Sequence, residues 1–254
     1  MNIKKTRGWL LVLAALGMLF VAVPAMATSV SLELLLLVDT SGSVSNTEYN
    51  LQKTGYVNAF NSAAVQSAIA SFAGSGGIAV AYAEWSGTSA QSLQVGWTQL
   101  TDAASASAFA TAINGVSRAY NANTAPGSAI NWGVPLFTGN GFEGNRLVID
   151  VSGDGAQNEG ANTLAAAIAA YNAGITLNGL AILGESGLAA WYQANIVTPG
   201  NGTLYSAADF DAFGAAVQDK IGREITGVPE PGTLLLLGGG LLGLVGYGRR
   251  MLKK

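Results

Sequence analysis

The 254-residue chain contains no cysteine and no histidine. Disulfides, thiolate metal sites, imidazole ligands and every nucleophile–histidine pairing are thereby excluded, which leaves oxygen chemistry. Charge is also scarce, at 11% of residues, and much of the basic share sits at the two ends. Lys4, Lys5 and Arg7 precede one apolar run; Arg249, Arg250, Lys253 and Lys254 follow another. Setting these aside together with Glu230 leaves 5 basic against 14 acidic residues, a net charge near −9 for the body of the chain. A body so acidic has no basic stripe to displace phosphate counterions, which argues against a nucleic-acid partner.

Both terminal runs read as processing elements. The first, "WLLVLAALGMLFVAV", closes on Ala25, Met26 and Ala27, so residues 1–27 have the basic head, short core and small-x-small cleavage site of a secretory signal peptide. The second, "TLLLLGGGLLGLVGY", precedes the basic cluster, which stays on the cytoplasmic side and leaves the domain outside. Both runs are short of the roughly 20 residues that a spanning helix needs, so the tail reads as a sorting signal or transient membrane anchor. Residues 28–227 remain, a normal size for one domain with its own core.

Within that body, Leu32–Val38 is an almost unbroken apolar run, the pattern of a strand buried on both faces. Ser45 with Glu48 three residues on predicts a capping box, and Tyr49, Tyr56, Phe60, Ala64 and Ala68 recur at helical spacing. "IAVAYAEW" and "SLQVGWTQL" read as strands joined by a link short enough for a hairpin, which makes the latter an antiparallel edge. Helices are expected from Asp102 and after Pro126, then the strand "RLVIDVSG", the helix "TLAAAIAAYNAG" and the strands "ITLNGLAIL" and "TLYSAA". A final amphipathic helix carries Phe210, Phe213, Val217, Ile221 and Ile225. The alternation predicts an α/β domain: a mostly parallel six-stranded sheet with one antiparallel edge strand and helices on both faces. "GNGFEG", from Gly139 to Gly144, matches a dinucleotide pattern but precedes a strand instead of following one, so nucleotide binding is rejected.

In such a sheet, ligands bind outside the carboxyl ends of the strands. Asp39, Ser41 and Ser43 leave the end of the first long strand and Asp154 leaves the end of "RLVIDVSG", so the four groups converge if those strands are neighbours. Thr124, in the loop "NANTAPGSAI", adds a hydroxyl. Carboxylates with neutral hydroxyls form a hard-oxygen set suited to magnesium, manganese or calcium. Asp150, inside its strand, reads as a structural carboxylate, and Trp85, Trp97, Trp132 and Trp191 as packing residues.

These residues resemble the von Willebrand factor type A (VWA) domain with its metal-ion-dependent adhesion site. The family's Asp-x-Ser-x-Ser loop stands as Asp39, Ser41 and Ser43, its second-loop threonine as Thr124 and its third-loop aspartate as Asp154. The resemblance covers nearly all of Leu32–Ile225 and implies a Rossmann-like sheet holding a divalent cation, Mg2+ foremost with Ca2+ or Mn2+ as alternatives. "AYAEWSG", "VIDVSGDG" and the last helix narrow it to a bacterial exported subgroup. The tail, residues 228–254, resembles the PEP-type sorting signal: Pro229, Glu230 and Pro231, an apolar run, then basic residues. That resemblance implies processing by exosortase in a Gram-negative bacterium, with inner-membrane anchoring beforehand and delivery to the cell surface or extracellular matrix.

The expected function is an adhesion module that binds an acidic group on a protein or polysaccharide through the cation. A structural matrix protein whose metal only ties loops together is the alternative. A hydrolase built on Asp39 and Asp154 is less favoured, because the adjacent hydroxyls look like co-ligands, and the protein is read as a non-enzyme.

Overall fold

The computed structural model describes residues 26–198 and 201–227. All of the predicted leader except Met26 and Ala27, and the whole sorting tail, lie outside these residues, and no helix among the described residues is long and apolar enough to cross a membrane. The strands are β1 (Thr28–Val30), β2 (Leu32–Asp39), β3 (Ile78–Trp85), β4 (Gln91–Leu100), β5 (Phe142–Gly144), β6 (Leu147–Gly153), β7 (Ile175–Ile182) and β8 (Leu204–Ala207). The helices are α1 (Asn46–Asn61), α2 (Ala63–Ala70), α3 (Ala103–Asn114), α4 (Pro126–Gly133), α5 (Thr163–Asn172), α6 (Leu188–Asn195) and α7 (Phe210–Thr226).

Six strands form one sheet in the order β4-β3-β2-β6-β7-β8. Every pairing in it is parallel except β3 with β4, the expected antiparallel edge. The apolar run of β2 is explained by its central place: all of its residues are buried, and alternate side chains serve opposite faces. Leu34, Leu36 and Val38 pack with Tyr56 and Phe60 of α1, Phe109 of α3 and the stripe Phe213, Val217, Ile221 and Ile225 of α7. Leu35 and Leu37 pack with Ile130 of α4, Ala166 and Ala170 of α5 and Tyr192 of α6. At roughly 1.5–3 kcal/mol for each large aliphatic side chain removed from water, this two-sided burial holds the loop after β2 on a rigid support.

Local capping follows the sequence closely at several starts. Ser45 and Glu48 close the capping box of α1, Asp102 caps α3, and Pro126 opens α4 where its missing N–H costs nothing. One predicted helix is two: the spacing runs on through Ala64 and Ala68, but the chain turns extended at Ser62. Its hydroxyl donates to Ala59 O at 2.8 Å and accepts from Val65 N at 3.3 Å, which ends α1 and starts α2 with one side chain. The rejected glycine motif forms a turn leading into β5, which pairs with β1 in a separate parallel ribbon that the sequence reading did not anticipate. Helix α6 was likewise not anticipated.

Candidate functional site

Asp39 ends β2 and Gly153 ends β6, and the two strands pair in register up to Val38 opposite Ser152. That adjacency brings the loops after both strands to one end of the sheet. Ser41 N donates to Asp39 Oδ1 at 2.7 Å, Ser41 Oγ lies 3.1 Å from Ser43 Oγ, and Ser43 Oγ donates to Asp154 Oδ1 at 2.7 Å. Asp39, Ser41, Ser43 and Asp154 are therefore joined in one hydrogen-bonded chain. Asp39 and Ser41 are buried, whereas Ser43 is exposed and Asp154 half-buried, so the chain runs from the interior to the surface.

Thr124 approaches from the second loop, before α4. Its N–H donates to Asn158 Oδ1 at 2.9 Å and its carbonyl accepts from Asn158 N at 3.0 Å, which fastens it to the loop that carries Asp154. A methyl group added at Gly155 would lie 3.8 Å from Thr124 Oγ1. The first loop is tied to the same neighbourhood by Gly42 N donating to Ala122 O at 2.7 Å. All five sequence-predicted residues thus lie on three loops that hydrogen bonds bind together.

Asp39 carries the main electrostatic anomaly. Burial pushes its carboxyl from 3.8 up to about 7, against the Ser41 hydrogen bonds, and the nearby Asp154 charge pushes the same way. Its Oδ2 has no hydrogen-bond partner although it is buried. The hydroxyl of Tyr192 is in the same condition. Each lies 2.7 Å from where a Cβ would stand on Gly153, so only glycine lets β6 pass this close to Asp39. Burial also raises the Asp154 carboxyl, aided by Glu48 and Glu185 and opposed by the Ser43 hydrogen bond. Two carboxylates that resist ionisation, flanked by hydroxyls and with one anionic oxygen unanswered, fit a hard divalent cation.

Two residues that sequence reasoning missed hold these loops. Arg118 Nη2 donates to Thr40 O at 3.0 Å and Ser41 O at 2.8 Å, while its Nε donates to Tyr120 O at 2.8 Å and its Nη1 to Asn46 Oδ1 at 3.1 Å. One planar fork therefore clamps the first loop to the loop that leads to Thr124. Glu84, at the end of β3, accepts from Tyr49 Oη and from Ala119 N, both at 2.7 Å. A lone carboxylate in the otherwise apolar "IAVAYAEW" was the available signal for Glu84; Arg118 stands in no pattern. Arg118→Ala should cost about 1–3 kcal/mol through the lost charge-assisted bonds. The backbone amides of residues 41–44 should exchange faster in that variant, by hydrogen-exchange mass spectrometry, and unchanged exchange would remove Arg118 from the role of clamp.

Several solved structures share this architecture. Proximal thread matrix protein 1 from the mussel byssus is 17% identical with a TM-score of 0.59, over 77% of this chain and 47% of that one. It has also been solved with a zinc-occupied MIDAS motif. The pilus adhesin SpaC from Lactobacillus rhamnosus GG is 16% identical with a TM-score of 0.58, over 80% and 31% of the two chains. A von Willebrand factor type A protein from Catenulispora acidiphila is 14% identical with a TM-score of 0.52, over 78% and 43%. The present chain thus spans about half of the byssus protein and about a third of the adhesin, and at these identities the likeness is one of fold. No curated protein matches the chain in sequence. Residues 227–250 match the PEP-CTERM protein-sorting motif, the element expected from Pro229, Glu230 and Pro231. Residues 29–229, on a VWA-like fold, match the family described as "Protein of unknown function (DUF1194)", and the chain belongs to that family.

Proposed function

We propose that the protein is an exported adhesion module in which Asp39, Ser41, Ser43, Thr124 and Asp154 hold a divalent cation, Mg2+ foremost, and the cation receives an acidic group from a protein or polysaccharide partner. The observation that carries this reading is the buried, unpartnered Asp39 Oδ2 at the inner end of a hydroxyl–carboxylate chain that opens to solvent at Ser43. An anionic oxygen left without a donor costs about 1–3 kcal/mol or more, and a cation answers it. When bound, the ion supplies a positive centre whose remaining coordination an acidic ligand completes. Ser41 and Asp39 set the inner wall, Arg118 keeps their loop in place, and the exposed Ser43 leaves an approach from outside.

Processing follows from the two ends. Residues 1–27 direct export and are removed, and exosortase acts on the motif containing Pro229, Glu230 and Pro231 after the tail has held the chain at the inner membrane. The mature domain of residues 28–227 then reaches the cell surface or matrix, the setting named for the byssus matrix protein and the pilus adhesin that share its fold. We read the site as binding and not catalytic, because its hydroxyls bridge to each other and to Asp154 as co-ligands.

The test is thermal unfolding with magnesium, calcium, manganese or chelator, beside Asp39→Ala. A ligand of the folded state at about 100 times its Kd adds roughly 2.7 kcal/mol, and melting rises by about 5–10 °C in a domain of this size. The variant should show no rise. If no cation shifts the parent, the cation reading fails and the loops are hydrogen-bonded turns of a structural matrix protein.

A further inference from the structure

With no cysteine in the chain, no disulfide fastens its elements together. Its most deeply buried charges nevertheless meet across two of them. Lys220 stands on α7 and Asp150 in the middle of β6, with both side chains 0% exposed and Lys220 Nζ 2.6 Å from Asp150 Oδ2. The carboxyl carbon is one carbonyl bond further, at most about 3.8 Å from the nitrogen, which approaches the roughly 3–3.5 Å of a near-attack geometry.

A second carboxylate completes the group. Glu224, one helical turn after Lys220, holds Oε1 against the same ammonium and accepts there from Asn178 Nδ2 at 2.6 Å. Asn178 is the register partner of Asp150 on β7, so its amide fixes Glu224 beside the reacting pair. The walls are apolar: Leu36 is the partner of Asp150 on β2, and Val217 and Ile221 flank Lys220 on the buried stripe of α7.

As ions, the three groups are costly. Their mutual attraction repays desolvation only where the remaining oxygens are hydrogen-bonded, and Asp150 Oδ1 and Glu224 Oε2 are buried without a partner. Burial favours uncharged forms and is the largest cause raising the Asp150 carboxyl, with Lys220 opposing and the Glu224 charge adding to the rise. The uncharged pair, a free amine facing a carboxylic acid, is also the reactive one.

We propose that Lys220 and Asp150 condense into an intramolecular amide, with Glu224 carrying the proton. A proton passes from the ammonium through Glu224 to the Asp150 carboxylate, leaving an amine and a carboxylic acid. The amine lone pair attacks the carboxyl carbon, the C–N bond forms and the C=O pair moves onto oxygen. Glu224 then takes the proton that the nitrogen sheds and returns it to the departing hydroxyl; the C–O bond breaks, the C=O bond re-forms and one water leaves. Ammonium and carboxylate become amide and water, with Glu224 unchanged and no outside reagent consumed. Glu224 lines a surface cleft, which gives the water a way out. Until the bond closes, the ion pair alone seats α7 on the sheet. Once closed, it ties residue 150 to residue 220 and restricts the unfolded chain as a disulfide does.

Tryptic digestion of the denatured full chain, read by mass spectrometry, tests for the bond. No lysine or arginine lies between Arg146 and Lys220, so a chain without the amide releases residues 147–220 as one peptide. The condensed chain should resist cleavage after Lys220, whose charge is consumed, and release residues 147–223 lighter by one water, about 18 Da. Glu224→Gln, which keeps the size of the side chain and its acceptor for Asn178, should release residues 147–220 at full mass, and so should Asp150→Ala. Residues 147–220 at full mass from the parent would overturn the proposal and leave a lasting ion pair. A missing water with Lys220 still open to trypsin, as cyclisation at Asp154–Gly155 would give, overturns it too. Undiminished condensation in Glu224→Gln would overturn the proton transfer assigned to Glu224.

Discussion

At pH 8, Asp39→Asn should leave the cation-free protein at least as stable as the parent and abolish its response to magnesium. The argument starts from a carboxylate that is wholly buried and has Oδ2 unpartnered. Burial, the largest cause, raises its pKa from 3.8 to about 7. In the unfolded chain the group titrates near its ordinary value, so between about pH 4 and 7 the folded chain holds the extra proton. Stability then falls as pH rises through that window, and the loss is complete above 7. Three pKa units correspond to roughly 4 kcal/mol as an upper figure. Asparagine has no charge to bury and escapes the loss.

A cation changes the sign. It requires the ionised carboxylate, so its affinity is full above pH 7 and declines by up to tenfold per unit below it, as a proton must leave for each ion bound. Melting temperatures at pH 5 and pH 8 separate these effects. The chelated parent should melt higher at pH 5, the magnesium-loaded parent should gain most at pH 8, and Asp39→Asn should gain nothing from magnesium at either. Burial also raises Asp154 and Glu84, so the parent's own slope contains their contributions; the difference between parent and variant isolates Asp39. A magnesium response surviving in Asp39→Asn would place the ion elsewhere.

What the sequence disclosed about this site divides by range. The apolar run of β2, the capping box of α1 and the strand ends at Asp39 and Gly153 depend on neighbours within a few residues, and each is legible. Convergence of the site depended on β2 lying beside β6, a contact between segments more than a hundred residues apart that periodicity alone cannot rank against other strand orders. Arg118 was invisible for the same reason: its acceptors include the carbonyls of Thr40 and Ser41, and nothing around residue 118 announces them. The break at Ser62 is hidden because a helix-compatible pattern continues past it, while its hydroxyl satisfies two helix ends at once. The ribbon of β1 and β5 is three residues long on each side, too short to show alternation.

The buried charges beneath α7 make the other large prediction, that Lys220→Ala costs about 3–5 kcal/mol. Lys220 sits on the apolar stripe of α7 between Val217 and Ile221, is fully buried, and places its ammonium 2.6 Å from Asp150 Oδ2 and against Glu224. Asp150 stands on β6 and is the carboxylate read from sequence as structural, so the ion pair bolts the last helix to the centre of the sheet. Removing the lysine leaves two buried carboxylates with no counter-charge. Burial already raises Asp150, and Lys220 is what opposes that rise. Without it the raised carboxyl keeps its proton to higher pH, so the variant's deficit should shrink as pH falls from 8 to 5. Urea unfolding at both values measures this, and a deficit equal at both would reduce the effect to the cavity left by the butyl chain. Adding Asp150→Asn and Glu224→Gln to Lys220→Met should recover much of the loss, because the cost of breaking a buried pair lies mostly in the charge left behind. Recovery by that triple change, with the magnesium response of Asp39 intact, would separate what seats α7 from what holds the cation.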